Sequence, residues 1–69
     1  MSELEEIYLK PDECEAIRLK DFQGMGQEEC SKNMNISQPT FHRTILSARR
    51  KIADAIINGK AVKIERGEE

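Results

Sequence analysis

Gly26-Gln27-Glu28-Glu29-Cys30-Ser31-Lys32-Asn33-Met34-Asn35-Ile36-Ser37-Gln38-Pro39-Thr40-Phe41-His42-Arg43, continuing as Thr44-Ile45-Leu46-Ser47-Ala48-Arg49-Arg50-Lys51, reads as a short helix, a tight turn and a longer helix. Cys30 and Met34 fall four residues apart and form one apolar stripe on an otherwise polar segment. Asn35 tolerates a left-handed backbone better than most residues and predicts the end of that helix. Ile36 points inward from the turn. Ser37 is a good N-cap, and Pro39 falls in the first helical turn, where no intrahelical N–H bond is required. Phe41, Ile45, Ala48, Ile52 and Ile56 then step by four, three, four and four, as a helical core stripe does. Leu46, Ala53 and Ile57 widen that stripe. Asn58-Gly59 stops the helix.

Upstream, Glu6-Ile7-Tyr8-Leu9 alternates weakly and predicts a short strand. Pro11 suits a first helical position, and Asp12, Glu13 and Glu15 suit the positive end of the helix that follows. Cys14, Ala16, Ile17 and Leu19 give that helix a broad buried face. Phe22 is expected to pack just after it, and Tyr8 at the strand–helix junction. Two glycines in Gly24-Met25-Gly26 mark the connection to the second helix. Past Gly59, Val62 and Ile64 alternate with Lys63 and Glu65, a second short strand whose natural partner is Ile7–Leu9. Two short strands alone are barely stable, so they pack on the helices or pair across a dimer.

The expected fold is mainly α: a three-helix helix-turn-helix domain of the winged-helix-like DNA-binding class. Its helices fall near 11–21, 27–34 and 38–58, with strands near 6–9 and 61–65. Residues 1–66 form the single domain, and 67–69 read as a disordered tail. A chain of 69 residues buries only about 60% of its unfolded surface, so it depends on a partner or on economical packing. With 4% aromatic residues and no Trp, the core is built from aliphatic and small side chains. Cys14 and Cys30 are too few for a disulfide framework and lack zinc spacing; they read as small buried hydrophobes. No metal or cofactor is expected. No apolar run reaches membrane length and no signal peptide opens the chain, which predicts a cytoplasmic protein without a membrane partner.

The net charge is −2, but it is unevenly distributed. Residues 1–29 carry three bases against nine acids, net −6; residues 38–60 carry five bases against one acid, net +4. Helix dipoles explain part of this asymmetry, but not the four bases within Arg43–Lys51. A basic half facing outward points to a polyanion.

Double-stranded DNA is the partner that this stretch suits. A helix fits the major groove with its first turns against base edges, while the preceding helix crosses the backbone. Gln38, Pro39, Thr40, His42 and Arg43 are the base-reading candidates; Gln pairs bidentately with adenine and Arg with guanine. Ser47, Arg49, Arg50 and Lys51 lie further along and suit phosphates, which position without specifying. Backbone N–H groups at Gly26–Glu28 offer a further phosphate site, made less inviting by Glu28 and Glu29. The bland readings are a structural cap at Ser37, core positions at Phe41 and Ile45, a solvated face at Arg49–Lys51 and an exposed, metal-free His42.

Gln27-Glu28-Glu29, Ile36-Ser37, Thr40-Phe41 and Ala48-Arg49-Arg50-Lys51 resemble region 4 of bacterial sigma factors, a helix-turn-helix that reads the promoter −35 element. A closer resemblance covers nearly the whole chain. Leu9-Lys10-Pro11-Asp12-Glu13, Glu15-Ala16-Ile17-Arg18-Leu19, Gln27-Glu28-Glu29, Ser37-Gln38-Pro39-Thr40-Phe41, Ala48 through Ile56 and Gly59-Lys60-Ala61-Val62 are similar to the domain of unknown function 134 family. That family consists of small prokaryotic proteins predicted to bind DNA. The resemblance implies a helical helix-turn-helix fold and a transcriptional role. Gln38, Pro39, His42 and Arg43 match the base-reading positions of region 4, but Pro39 and His42 depart from the sigma pattern, so −35 recognition is not implied. Members of the family commonly carry a basic, cysteine-containing stretch ahead of this region. The present sequence opens without it, so the expectation is modest DNA affinity for a single copy.

The expected function is therefore a DNA-binding transcriptional regulator working as a homodimer, with Val62 and Ile64 contributing to self-association and RNA polymerase contact left open. The rival is a helix-turn-helix scaffold whose acidic first half docks a basic protein partner. An enzyme is not expected, since no nucleophile–base pair, phosphate loop or metal set is present.

Overall fold

The computed structural model describes residues 4–65; the tail expected at 67–69 lies outside them. The order is β1 (Glu6–Leu9), α1 (Pro11–Ala16), a π-helical segment (Ile17–Phe22), α2 (Gln27–Met34), α3 (Gln38–Asn58) and β2 (Ala61–Ile64). This is the mainly helical, three-helix arrangement that the sequence predicts, with both strands present. β1 and β2 pair in parallel, with Glu6 opposite Ala61 and Leu9 opposite Ile64. They pair within one chain, so no dimer is needed to complete the sheet. β2 ends at Ile64, one residue short of the expected boundary, although Glu65 N–H still donates to Leu9 C=O at 2.8 Å.

The helix ends follow local chemistry. Ser37 caps α3, its Oγ accepting from Thr40 N–H at 3.2 Å. Asn35 ends α2 in the left-handed region, φ 61° and ψ 43°. Ile36 N–H then reaches back to Ser31 C=O at 3.0 Å. Gly59 ends α3 at φ 65°.

The core forms where three helices meet. Ala16, Leu19, Cys30, Phe41 and Ile45 are its buried members, with Ile17, Met25, Met34 and Ile36 packed against them. Small residues set the closeness of approach: Ala16, Ala48 and Cys30 are completely buried. Ser31 is also buried, and its hydroxyl escapes the cost of burial by donating to Glu28 C=O at 2.8 Å.

Several expectations are corrected. The first helix does not stay α-helical to Asp21 but widens after Ala16, with Gln23 N–H bonding to Arg18 C=O, five residues back. A π turn rotates successive side chains by less than an α turn does. Phe22 is therefore carried off the core face and stands 85% exposed. Met25 packs against the core instead, after Gly24 reverses the chain at φ 75° and Met25 N–H closes on Leu19 C=O. Tyr8 is exposed rather than packed, its hydroxyl donating to Glu6 at 2.6 Å. The α3 stripe is buried only as Phe41, Ile45, Ala48 and Ala55, with Ile52 half-buried; Leu46, Ala53, Ile56 and Ile57 are exposed. An ideal helix drifts relative to a strict seven-residue repeat, and here the contact passes from the Ile56 position to Ala55.

One buried carboxylate joins three elements. Glu13 is 4% exposed and accepts hydrogen bonds from Lys10 N–H (2.9 Å), Ser47 Oγ (2.6 Å) and Lys51 Nζ (2.8 Å). The Lys10 bond is the reach-back half of a capping box at the start of α1. Lys51 Nζ also donates to Tyr8 C=O at 2.9 Å, so β1, α1 and α3 share one polar knot. Burial pushes the Glu13 carboxyl up, but the bonds from Lys51, Ser47 and Lys10 outweigh it and hold the group below the ordinary glutamate range.

Two predictions follow from these local devices. Asn35→Ala should destabilise by about 1 kcal/mol, the cost of a Cβ in the left-handed region, whereas Asn35→Gly should match or exceed the parent in urea denaturation. Equal midpoints for Ala and parent would contradict the capping role. For Glu13, a lowered folded-state pKa means that its contribution is complete above the ordinary glutamate value of about 4.3 and is lost as pH falls through the folded value. Glu13→Gln should therefore cost on the order of 1–3 kcal/mol at neutral pH, the lower range because Lys51 stays partly solvated. The gap to the parent should close on acidification, with Asp21 and the other carboxylates common to both chains.

Candidate nucleic-acid interface

The start of α3 projects from the body as a capped, polar end. Gln38, Pro39, His42 and Arg43 are exposed there. Thr40 is half-buried and tied into the cap: its Oγ1 accepts from Ser37 Oγ at 2.9 Å and, more weakly, from Arg43 Nη2 at 3.4 Å. Its C=O accepts from Thr44 Oγ1 at 2.9 Å. The structure thus brings four of the five base-reading candidates to an open surface and gives the fifth a structural contact.

At 100° per residue, the direction opposite Phe41 and Ile45 is held by Pro39, Arg43, Leu46 and Arg50. Arg43 and Arg50 lie two turns apart on this outermost line. Arg50 has no side-chain hydrogen bond or ion pair among the described residues, and Arg43 has only its long contact to Thr40.

The remaining basic candidates are engaged internally. Arg49 makes a two-pronged contact with Asp21, Nε–Oδ2 at 3.0 Å and Nη2–Oδ1 at 2.6 Å, which pins the end of the π segment to α3. The hydrogen bond from Arg49 keeps the Asp21 carboxyl below its usual range. Lys51 and Ser47 both bind Glu13. Of the four residues expected to meet phosphates, Arg50 alone projects free of such contacts among the described residues.

Lys10 joins these residues without having been a candidate from its sequence context. It is exposed at the start of α1 and lines a groove with Asp12, Thr40 and Arg43, beside the start of α3. Lys10 sits in the acidic half, where net charge hides it; the signal that could have exposed it is its place just before Pro11, at a helix cap. A second open cleft lies at the start of α2, lined by Gly26, Gln27, Glu28, Glu29 and Lys32. There Glu28 faces Lys32 at 3.7 Å. His42 lies on α3, Cys30 is buried with Sγ directed at Met25 C=O (3.7 Å) and Cys14 is half-buried. Among the described residues, no three His, Cys, Asp or Glu side chains gather as a metal site, and no helix is long and apolar enough to cross a membrane.

No solved structure matches the chain. Its sequence is similar to a UPF0251 protein of Caldanaerobacter subterraneus, 58% identical over 67 residues that span 97% of this chain and 57% of the relative. UPF0251 proteins of Pelotomaculum thermopropionicum (55% identical, 51% of the relative) and Moorella thermoacetica (54%, 45% of the relative) match over the same 97% of this chain. The chain spans about half the length of these relatives. A family model described as protein of unknown function DUF134 matches residues 1–69, and the chain belongs to that family.

Proposed function

We propose that this chain is a DNA-binding module of a cytoplasmic transcriptional regulator, reading the major groove with the start of α3. The observation that carries this reading is the division of labour among the α3 bases. Arg43 and Arg50 share the outermost line of the helix, while Arg49 and Lys51 are engaged by Asp21 and Glu13. Gln38, His42 and Arg43 are the base-edge contacts, and the exposed Pro39 ring suits a thymine methyl. Arg50 and Lys10 are the phosphate contacts, on either side of the reading turn. Thr40, Ser47, Arg49 and Lys51 act one step back, holding α3 at its angle to the body. The likeness to sigma factor region 4 supports the same orientation of the helix.

The rival scaffold reading has less charge to work with than its sequence suggested. Glu6, Glu13, Glu15 and Asp21 are each paired within the chain, to Lys63, Lys51, Arg18 and Arg49. Much of the acidic half is therefore neutralised before any partner arrives.

Selection from random duplex DNA should enrich a motif, and anisotropy titrations on it should weaken steeply with salt. Arg43→Ala should cost about 1–3 kcal/mol of binding and relax specificity at one position. Arg50→Ala should weaken all sequences alike and lower the salt slope by about one. Arg49→Ala should leave the salt slope unchanged and show instead as a loss of at most about 1 kcal/mol in folding, since its ion pair is half-solvated. No enrichment, or equal binding by the Arg43→Ala, Arg50→Ala double variant, would remove this assignment.

A further inference from the structure

We propose that the open edge of β2 pairs with β2 of a second copy, antiparallel about a twofold axis at Ile64. The two sheets then join into one of four strands. The association does not depend on DNA binding.

The edge is defined by the ladder. Alternate residues of a paired strand turn their N–H and C=O groups to opposite sides. Ala61 N–H donates to Glu5 C=O and Glu65 N–H to Leu9 C=O, both at 2.8 Å. Residues 61, 63 and 65 therefore turn their backbone to β1, and Val62 and Ile64 turn theirs away. The backbone groups of Val62 and Ile64 have no partner among the described residues. On the far side of β1 the situation differs. There Tyr8 C=O accepts from Lys51 Nζ and Lys10 N–H donates to Glu13, each at 2.9 Å, so α3 occupies that side. Edge strands are commonly guarded by a proline, a bulge or an obstructing charge. β2 reads Ala61-Val62-Lys63-Ile64, without a proline, and its Lys63 ammonium is turned to Glu6 at 3.6 Å. Four residues is short, which makes the pairing weak and concentration-dependent.

Charge selects both occupant and register. Lys63 and Glu65 are opposite in sign and equally distant from Ile64, and all three are exposed. A twofold axis at Ile64 sets Lys63 across from Glu65 of the second copy, and Glu65 across from its Lys63. Opposite charges directly across a strand pair stabilise it, and like charges destabilise it. Ile64 meets its own counterpart, and their outward N–H and C=O groups exchange two hydrogen bonds. Its side chain, 54% exposed and on the same face as Leu9, loses apolar surface to the contact. The neighbouring registers are worse. An axis at Lys63 sets lysine against lysine. An axis at Val62 sets Lys60 across from Ile64, but Lys60 N–H is already bonded to Ala55 C=O at 2.9 Å. A second copy thus brings the complementary charges in the right order, because the strand is its own complement.

Sedimentation equilibrium of the 69-residue chain at low salt should show dimer forming between about 0.1 and 1 mM. Lys63→Glu and Glu65→Lys each set like charges across both outer pairs. Each should raise the dissociation constant about fivefold or more, with a thermal melt close to the parent's. An equimolar mixture of the two variants should dimerise again, since every cross-strand pair then carries opposite charges. Exchange of the Ile64 amide should slow as the parent is concentrated, while that of Lys63, already in the ladder, should not change. A parent still monomeric at about 1 mM, single variants that dimerise as the parent does, a mixture that stays monomeric, or a dimer in which Ile64 exchange is indifferent to concentration would each overturn the proposal.

Discussion

The Glu13 carboxylate is the constraint around which this small domain is arranged. It is almost fully buried, and an ionised carboxylate without partners in such a place would cost several kcal/mol. Its partners come from three directions: Lys10 at the mouth of α1, Ser47 and Lys51 from the middle of α3. Satisfying Glu13 therefore fixes the crossing of α1 and α3. Through the Lys51–Tyr8 bond it also fixes where β1 lies. A purely apolar contact of the same size would be less directional, because hydrophobic burial alone does not choose among rotations of a helix. The knot also explains how a four-residue parallel strand pair persists, since it is clamped to α3 at Tyr8 and Leu9 is buried beside it.

The same economy governs the charges of α3. A helix that packs against two others and carries four bases within nine residues divides them between internal contacts and its outer surface. Arg49 secures the π segment through Asp21, and Lys51 secures α1 and β1. Arg43 and Arg50 remain on the outward line. The basic half counted along the chain as +4 is thus a thinner electrostatic surface in three dimensions. Part of its charge is cancelled by acids brought in from the first half.

The helices, their caps and the turn between α2 and α3 were legible in the sequence because they are local. Ser37, Asn35 and Gly59 act on backbone groups within five residues, and Phe41, Ile45 and Ala48 declare a buried face by spacing alone. The polar, exposed start of α3 was legible for the same reason. The π turn was not, because no local signal in Ile17–Phe22 marks it; with it, Leu19 is buried, Met25 packs against the core and Phe22 stands exposed. Nor was the end of the buried stripe: the repeat continues through Ile56, but no element covers it. What only tertiary structure decided was which charges are available. Glu13 meets Ser47 and Lys51 across 34 and 38 residues, and Asp21 meets Arg49 across 28. The sequence by itself determined the elements, since hydrogen bonds and periodicity within a helix depend on near neighbours. Periodicity puts Arg43 and Arg50 on the outer line of α3, but the pairing of acids with bases depends on how the helices cross, and that crossing brings Asp21 to Arg49 and Glu13 to Lys51.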